Sequence, residues 1–339
     1  MSAGRRATAM RDVAMVAGVS AQTVSRVLGG RPNVQEATRA KVLAAVKQLG
    51  YHRTNTARAL VTGQSMTVGV LTLASGYYSR AALVLGIERA ARQSEYTVNA
   101  TTTDSLAIPA VSESLRQLIQ QGVDGIIIAV PLLDTDDSLE ALTKVVPTLT
   151  LDGARTSSAD VVAVNQTMAV RLAMKHLLDL GHRTVWHVSG PPEWSDAASR
   201  VAGWRAALQE AGREVPPELH GDWSPESGYR CGLILAAMPE VTAVLVASDE
   251  MAFGVMRALA ELGRRVPEDI SIVGIDDIAL AAYATPPLTT VSQSFEATGR
   301  RAFEHLLRQM RDPDTVQLSE AVAPTLIVRA TTAPPRIEP

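Results

Sequence analysis

The sequence predicts an all-α helix-turn-helix head followed by an α/β body of two doubly wound subdomains. Three observations carry that expectation. The stretch Thr8 to Leu28, TAMRDVAMVAGVSAQTVSRVL, reads as two short helices around a tight turn. The first 64 residues hold ten Lys or Arg against two acids, and the remainder holds 22 against 33, so a basic head precedes an acidic body within a net charge of -3. From Met66 onward, β-branched runs alternate with helical segments, the pattern of parallel sheets with crossover helices.

Within the opening stretch, Val13, Val16 and Ala17 fall at i, i+3, i+4 and form one apolar face. Thr8 is the expected N-cap, with Arg11 where a capping box would want Glu or Gln. Gly18 ends the first helix, where a left-handed residue costs least. Ser20 caps the second, whose Val24, Val27 and Leu28 repeat the apolar face. Its other face carries Ala21, Gln22, Ser25 and Arg26, which are short, hydrogen-bonding or cationic, and this suits a helix lying in a DNA major groove. Helical hairpins are common inside larger cores; the N-terminal position and the basic surroundings favour DNA. After the loop GGRPN, a third helix is expected from about Gln35 to Leu49, with Val42, Ala45, Val46 and Leu49 on one face. Three helices make a small bundle whose slight core leans on DNA or a partner. Beyond Gly50, Thr54 or Asn55 caps a short helix from Thr56 to Val61 that Gly63 ends. One or two turns do not persist alone in water, so this segment reads as a conditional hinge, with Leu60 placed to wedge into a minor groove.

The motifs DVAMVAGVSAQTVSRVL, TRAKVLAAVKQLGY and ARAL, in that order before the first body strand, resemble the lactose-repressor (LacI) family of bacterial transcription regulators. The resemblance covers nearly the whole chain. It implies that Gln22 and Arg26 read base edges, that Ala21 shapes the contact, and that Thr23, Ser25 and Asn33 lie near phosphates. It also implies a hinge helix that brings Arg58 and Leu60 to the DNA. Two departures stand out: Arg53-Thr54 replaces the Pro-Asn frequent before the hinge, and Gln35 replaces the Ser that usually caps the third helix. The first alters hinge entry and adds a phosphate contact, and the second weakens a cap. The family's body is a periplasmic-binding-protein-like pair of subdomains closing on an effector. The resulting boundaries are 1–54 for the head, 55–63 for the hinge helix, 66–164 with 294–323 for the N-subdomain, and 165–293 with 324–339 for the C-subdomain and tail.

In the body, strands are expected at MTVGVLTL, YTVNATTT, GIIIAV, PTLTLD, DVVAVN, TVWHVSG, AVLVASD, ISIVGIDD, TTVSQ and around LIVRA. Helices are expected at Ala81 to Gln93, Val111 to Gln121, near Leu139, and at Met168 to Leu180, Arg200 to Ala211, Ser227 to Met238, Met251 to Leu262 and Ala297 to Met310. Ligands in such folds sit beyond the carboxyl ends of the strands. Those ends are polar here: Asp152, Ser248-Asp249, Asp276-Asp277 and Gln293. Carboxylates and amides converging on a cleft accept several hydroxyl hydrogen bonds, which is how a sugar is held. Arg200, expected to begin a helix behind a Gly-Pro-Pro loop, offers a planar donor fork. Trp223 offers a flat face for a pyranose. Taken singly, an Asp after a strand is often a helix cap and a lone Trp is usually core; together they favour a polyol or sugar site.

The resemblance sharpens this. RVAGW at 200–204 looks like the family's effector-arginine motif, and VPLLDTDD, GDWS and YATPPLTTVSQSF look closest to its lactose-responsive branch. That comparison places Asp152, Arg200, Trp223, Ser248, Asp276, Gln293 and Phe295 around the effector, a galactoside or related sugar, with Ser248 standing where that branch has Asn. The segment ASGYYSR at 74–80 departs more, and Tyr77 and Tyr78 are expected to reshape the pocket over an aglycone or second ring. Trp194 and Asp196 are local features without an assigned role.

Other chemistry is not signalled. There is no GxGxxG after the first strand, no Walker motif and no GxSxG elbow, which argues against a cofactor and against an enzyme. The six His form no ligand-spaced cluster, so no metal is expected, and His176 and His182 read as packing and capping groups. A single cysteine, Cys231, and a start lacking a secretory h-region predict a cytoplasmic protein, and no run is apolar enough to span a membrane. The expected partners are pseudo-palindromic double-stranded operator DNA, a small sugar effector and a second copy of the chain. No Leu-rich heptad tail follows the last strand, so a dimer is expected rather than a tetramer. The rivals are a corepressor-driven regulator of the same family and a sugar-binding transport protein; the basic head opposes the second.

Overall fold

A computed structural model describes residues 9–28, 34–51, 63–74, 76–151, 153, 159–312, 314–316 and 318–336. The chain divides into two compact units that meet at Ser65 and Met66. In the first unit, α1 (Met10–Ala17), α2 (Ala21–Leu28) and α3 (Glu36–Leu49) close on a small core of Val13, Ala14, Ala17, Val24, Val27, Val42, Ala45 and Tyr51. Gly18 and Gly50 end α1 and α3 in the left-handed region, and the Ser20 hydroxyl caps α2 by accepting the Thr23 N–H at 3.1 Å. Two local expectations change. Val16 faces outward, and Ala14 takes its place in the core. The cap of α1 is Ala9, not Thr8, so Asp12 rather than Arg11 occupies the third helical position, where its carboxylate accepts the Ala9 N–H at 2.7 Å. Gln35 precedes α3 without a side-chain cap bond, as its departure from Ser implied. The short hinge helix, with Arg58 and Leu60, lies outside the described residues, as do Thr8, Asn33 and Asp152.

Among the described residues the second unit carries two six-stranded sheets. The first runs β11-β5-β4-β3-β1-β2, all parallel, from β1 (Thr67–Leu73), β2 (Thr97–Thr103), β3 (Gly125–Ala129), β4 (Thr148–Leu151), β5 (Asp160–Val164) and β11 (Ser319–Val322). The second runs β12-β10-β9-β8-β6-β7, from β6 (Trp186–Ser189), β7 (Leu219–His220), β8 (Ala243–Val246), β9 (Ser271–Asp276), β10 (Thr289–Ser292) and β12 (Thr325–Ile327), and only β12 is antiparallel to its neighbour. Helices cover both faces of each sheet, which explains the unbroken apolar runs of the central strands. On the first sheet, α4 (Tyr78–Gln93) and α11 (Phe295–Arg311) pack through Leu83, Ile87, Phe303 and Leu306, while α5 (Ile108–Gln120) and α6 (Asp137–Thr143) pack opposite through Leu115, Leu118 and Leu139. On the second, α9 (Pro225–Ala236) and α10 (Asp249–Glu261) cover one face, and α7 (Gln166–Asp179) and α8 (Ser195–Glu210) the other.

The chain passes from one sheet to the other three times: between β5 and α7, between β10 and α11, and between β11 and β12. His176 and His182 tie down the C-terminal segment, His176 on Thr332 at 3.0 Å and His182 on Thr242 and the Ala333 carbonyl. Among the described residues no helix is long and apolar enough to cross a membrane.

Most body helices start a few residues earlier than the sequence suggested, among them the three that open on the cleft, at Tyr78, Ser195 and Phe295. Arg200 therefore does not begin a helix; it sits in the second turn of α8, aimed inward from the buried face. The first turns of these helices carry tyrosine, tryptophan-flanked serine or phenylalanine rather than a repeating apolar stripe, because they line a cleft instead of a core. Strands β7 and β11 were not expected; both are short sheet edges, and SEAV offers no apolar run to reveal them.

Candidate effector cleft and nucleic-acid interface

Between the two sheets lies a narrow cleft with a cavity volume of about 30 Å³. The first half of the body contributes Tyr77, Ser79, Arg80 and Leu83 from the start of α4, with Phe295 from the start of α11. The second contributes Trp194, Asp196 and Arg200 around α8, Trp223 before α9, Ser248 and Glu250 at the start of α10, and Asp276 at the end of β9. Of the residues singled out for the effector, Arg200, Trp223, Ser248, Asp276 and Phe295 thus meet in one place. Gln293 lies behind that surface, fully buried, and Asp152 is outside the described residues.

A continuous hydrogen-bond chain fixes the floor. Arg200 donates from Nη1 to the Ala247 carbonyl and from Nε to Gln166 Oε1 at 2.9 Å. Gln166 Nε2 donates to Gln293 Oε1 at 2.9 Å, and Gln293 Nε2 donates to Asp276 Oδ1 at 2.7 Å. Gln166 and Gln293 stand at two of the three crossings between sheets, so the floor is built where the halves join. Burial pushes the Asp276 carboxyl well above the usual carboxylate range against the pull of the Arg200 guanidinium, and the nearby carboxylates of Asp249, Glu250 and Asp196 add to the push. The Asp276 carboxyl can accept from a sugar hydroxyl. Trp223 at φ +72°, Asp276 at +122° and Asp277 at +54° hold backbone conformations uncommon for side-chain-bearing residues. Trp223 and Asp276 thereby face the cleft, whereas Asp277 turns to Arg329.

The walls are aromatic and cationic by turns. The Arg200 guanidinium carbon lies 5.5 Å from the centre of the Trp223 ring, Trp223 and Trp194 lie 5.4 Å apart, and the Arg80 guanidinium carbon lies 5.5 Å from the Trp194 ring. The Gly-Pro-Pro loop starts with glycine because a Cβ on Gly190 would stand 2.2 Å from the Trp223 ring. Among the described residues the contacts between the two halves include the Tyr77 hydroxyl donating to the Asp222 carbonyl at 3.0 Å, the Tyr78 N–H reaching Glu250 at 3.4 Å, the Ser195 N–H donating to the Pro131 carbonyl at 3.2 Å, and Arg80 pairing with Asp196 at 3.2 Å. Tyr77 therefore lies at the mouth, while Tyr78 turns its ring edge toward Phe295 at 6.3 Å.

Two acids expected at the cleft do other work. Asp249 is wholly buried beneath it, accepting from the Thr290 hydroxyl at 2.5 Å and the Ile278 N–H at 2.9 Å, and Asp277 pairs with Arg329 at 2.7 Å. Ser248 caps α10, accepting the Met251 N–H at 3.2 Å, and its hydroxyl proton remains available to a ligand. Sequence reasoning missed Arg80, Ser79 and Glu250. Starting α4 at Ala81 made Arg80 a loop residue, and Glu250 stands one place beyond the strand-end pair that drew attention.

In the head, α2 presents Gln22 and Arg26, one helical turn apart and exposed, flanked by half-buried Ala21, Thr23 and Ser25. Thr23 is partly engaged, its hydroxyl lying 2.9 Å from that of Ser20.

A helix-turn-helix head with a polar recognition face, on a body that encloses a polar cleft between two α/β halves, defines a ligand-governed DNA-binding regulator. The chain matches the family described as bacterial regulatory proteins, lacI family, over residues 9–54, and the periplasmic binding protein-like domain over residues 174–332. It is 35% identical over 329 residues to the lactose operon repressor of Escherichia coli (strain K12), covering 96% of this chain and 91% of the relative. The ribose operon repressor of the same organism is also 35% identical, with 94% and 98% covered. The crystal structure of the Lac repressor dimer bound to operator and the anti-inducer ONPF superposes with a TM-score of 0.89 at 33% identity, covering 97% of this chain and all of that one. The chain belongs to the lacI family and is a transcriptional repressor with a helix-turn-helix DNA-binding domain and a periplasmic-binding-protein-like effector body.

Proposed function

We propose that this repressor acts as a cytoplasmic homodimer on a pseudo-palindromic operator and is released from it by a small sugar, a galactoside or related compound. The observation that carries the sugar is the cleft floor. Asp276, Arg200 and Ser248 present donors and acceptors beneath Trp223, an aromatic face with polar groups at its edge. In this reading Asp152, Arg200, Trp223, Ser248, Asp276, Gln293 and Phe295 serve the effector, Gln293 by orienting Asp276. Ala21, Gln22, Thr23, Ser25, Arg26 and Asn33 meet the major groove and its phosphates, and the hinge residues Arg58 and Leu60 meet the minor groove. Similarity to the lactose operon repressor over almost the whole chain supports the galactoside.

Release requires the effector to favour one arrangement of the two halves. Both halves line the cavity, so a ligand touching Arg200 and Phe295 together senses their separation. The test is binding of the full chain to labelled operator-like duplexes selected from a random pool, at fixed salt, titrated with galactosides, glucosides, pentoses and purines. Release by a sugar class supports the proposal and names the effector. Tightening in its place would make the protein corepressor-driven, and the absence of any response with specific binding intact would refute the sugar reading.

A further inference from the structure

The opening of α4 reaches across the cleft with consecutive residues. The Tyr77 hydroxyl donates to the Asp222 carbonyl at 3.0 Å, and the Tyr78 N–H lies 3.4 Å from Glu250. Ser79 and Arg80 line the cavity, and Arg80 Nη2 donates to Asp196 Oδ2 at 3.2 Å. Each of these partners lies in the second half of the body. The last bond joins two charged side chains out of reach of solvent, Arg80 being 5% and Asp196 13% exposed.

Arg80 also fills the space between the halves. Its guanidinium carbon lies 5.5 Å from the centre of the Trp194 ring, Trp194 lies 5.4 Å from Trp223, and Trp223 meets the Arg200 guanidinium at 5.5 Å. This stack runs from the mouth of the cleft to its floor. The volume it leaves, about 30 Å³, has room for about two waters. No sugar ring fits that volume, so one enters only as the halves part.

The closed arrangement is finely balanced. The ion pair favours it, since buried charges are little screened by water. The unmade donors oppose it: Arg80 Nε and Nη1 are buried and have no partner among the described residues. Removing one member of the pair tips the balance, because the charge left behind regains water only when the halves separate.

We propose that the start of α4 is a clasp, in which the Arg80–Asp196 pair holds the two halves of the body in the arrangement that binds the operator, and that the effector acts by parting it. This rests on the reading above that a sugar releases the repressor. A ligand that enters only a parted cleft, and whose entry releases DNA, makes the clasped arrangement the operator-binding one by linkage. Arg80 and Asp196 are positioning residues for DNA binding although both lie in the body.

Fluorescence anisotropy of the full chain on its selected operator duplex, without sugar and at fixed salt, tests this beside a random duplex. Arg80→Met and Asp196→Asn should each weaken operator binding by about tenfold or more and leave random-duplex binding unchanged. Tyr77→Phe removes a single hydrogen bond at the mouth and should weaken it by about two- to tenfold. The double variant Arg80→Asp with Asp196→Arg restores the pair in reverse, and operator affinity should return to within about threefold of wild type. Acrylamide quenching of tryptophan should rise in the single variants and fall back in the reversed pair, because Trp194 sits beneath Arg80. Single variants that bind the operator as tightly as wild type, or more tightly, would overturn the clasp and leave the sugar reading intact. An equal loss in the single variants and the reversed pair, with quenching unchanged, would also overturn it and make the pair a brace. A wild type that no sugar releases would remove the reading on which the clasp rests.

Discussion

Asp249→Asn should change how the stability of the body depends on pH. Asp249 opens α10 with no solvent exposure, and burial lifts its carboxyl from 3.8 to about 7, helped by the carboxylates of Glu250 and Asp277 and opposed by the Thr290 and Ile278 hydrogen bonds. The folded value lies above the unfolded one, so between those two pH values the native state holds a proton that the unfolded chain has released. Stability therefore falls as pH rises through that window. A shift of this size corresponds to about 4 kcal/mol lost above the folded pKa, of which roughly 3 kcal/mol is lost between about pH 5 and pH 8. Asparagine copies the shape of the neutral acid and cannot ionise. Its oxygen can face the Ile278 N–H while the Thr290 hydroxyl rotates to accept from its amide. Urea unfolding of both proteins across that range, followed by the fluorescence of buried Trp186 and Trp204, gives the comparison. The variant should gain on the wild type with rising pH by an amount on the order of 3 kcal/mol. Parallel stability curves would show that Asp249 stays ionised in its pocket and would refute the reasoning.

Three further outcomes are expected. Gln22→Ala and Arg26→Ala should each weaken specific operator binding by about ten- to a hundredfold, at roughly 1–3 kcal/mol per base-edge contact, while effector affinity in calorimetry stays as in wild type. Ser20→Ala removes the hydroxyl that accepts the Thr23 N–H and should weaken α2 by about 1 kcal/mol, read as faster hydrogen exchange of its amides. Gly254→Ala places a Cβ 1.9 Å from the Pro225 carbonyl oxygen where α9 and α10 touch; overpacking of about 1–3 kcal/mol should lower the melting temperature by several degrees.

The head and the central strands were legible in the sequence because local signals specify them. Gly18, Ser20 and the spacing of Val24 and Val27 are contained within one short stretch, and runs such as GIIIAV and AVLVA announce strands covered on both faces. The inner half of the cleft was legible for a related reason, since residues following strands converge in folds of this kind. The outer half was not. Arg80, Asp196 and Trp194 come from helix starts far apart in sequence, and only the packing of one half against the other makes them neighbours. Asp249 and Asp276 illustrate the same limit. Both follow apolar strands, yet one braces Thr290 and Ile278 and the other faces the cavity, a distinction set by backbone direction at φ +122° rather than by residue type.

The three passages between the sheets also constrain how the protein is made. The first sheet starts at Thr67, but its core needs Phe303 and Leu306, and its edge needs Ser319 to Val322 beside β5. During synthesis, the part of the body that leaves the ribosome first must wait, with one face covered by α4 alone, while the whole of residues 166–292 is made. Contacts so distant in sequence slow folding and leave apolar surface exposed in the meantime. A nascent chain halted near residue 290 would hold all the strands β1 to β5 and still lack α11, which shares one of their faces with α4. The acquisition of a finished first half, and with it a two-sided cleft, therefore waits on residues 295–322.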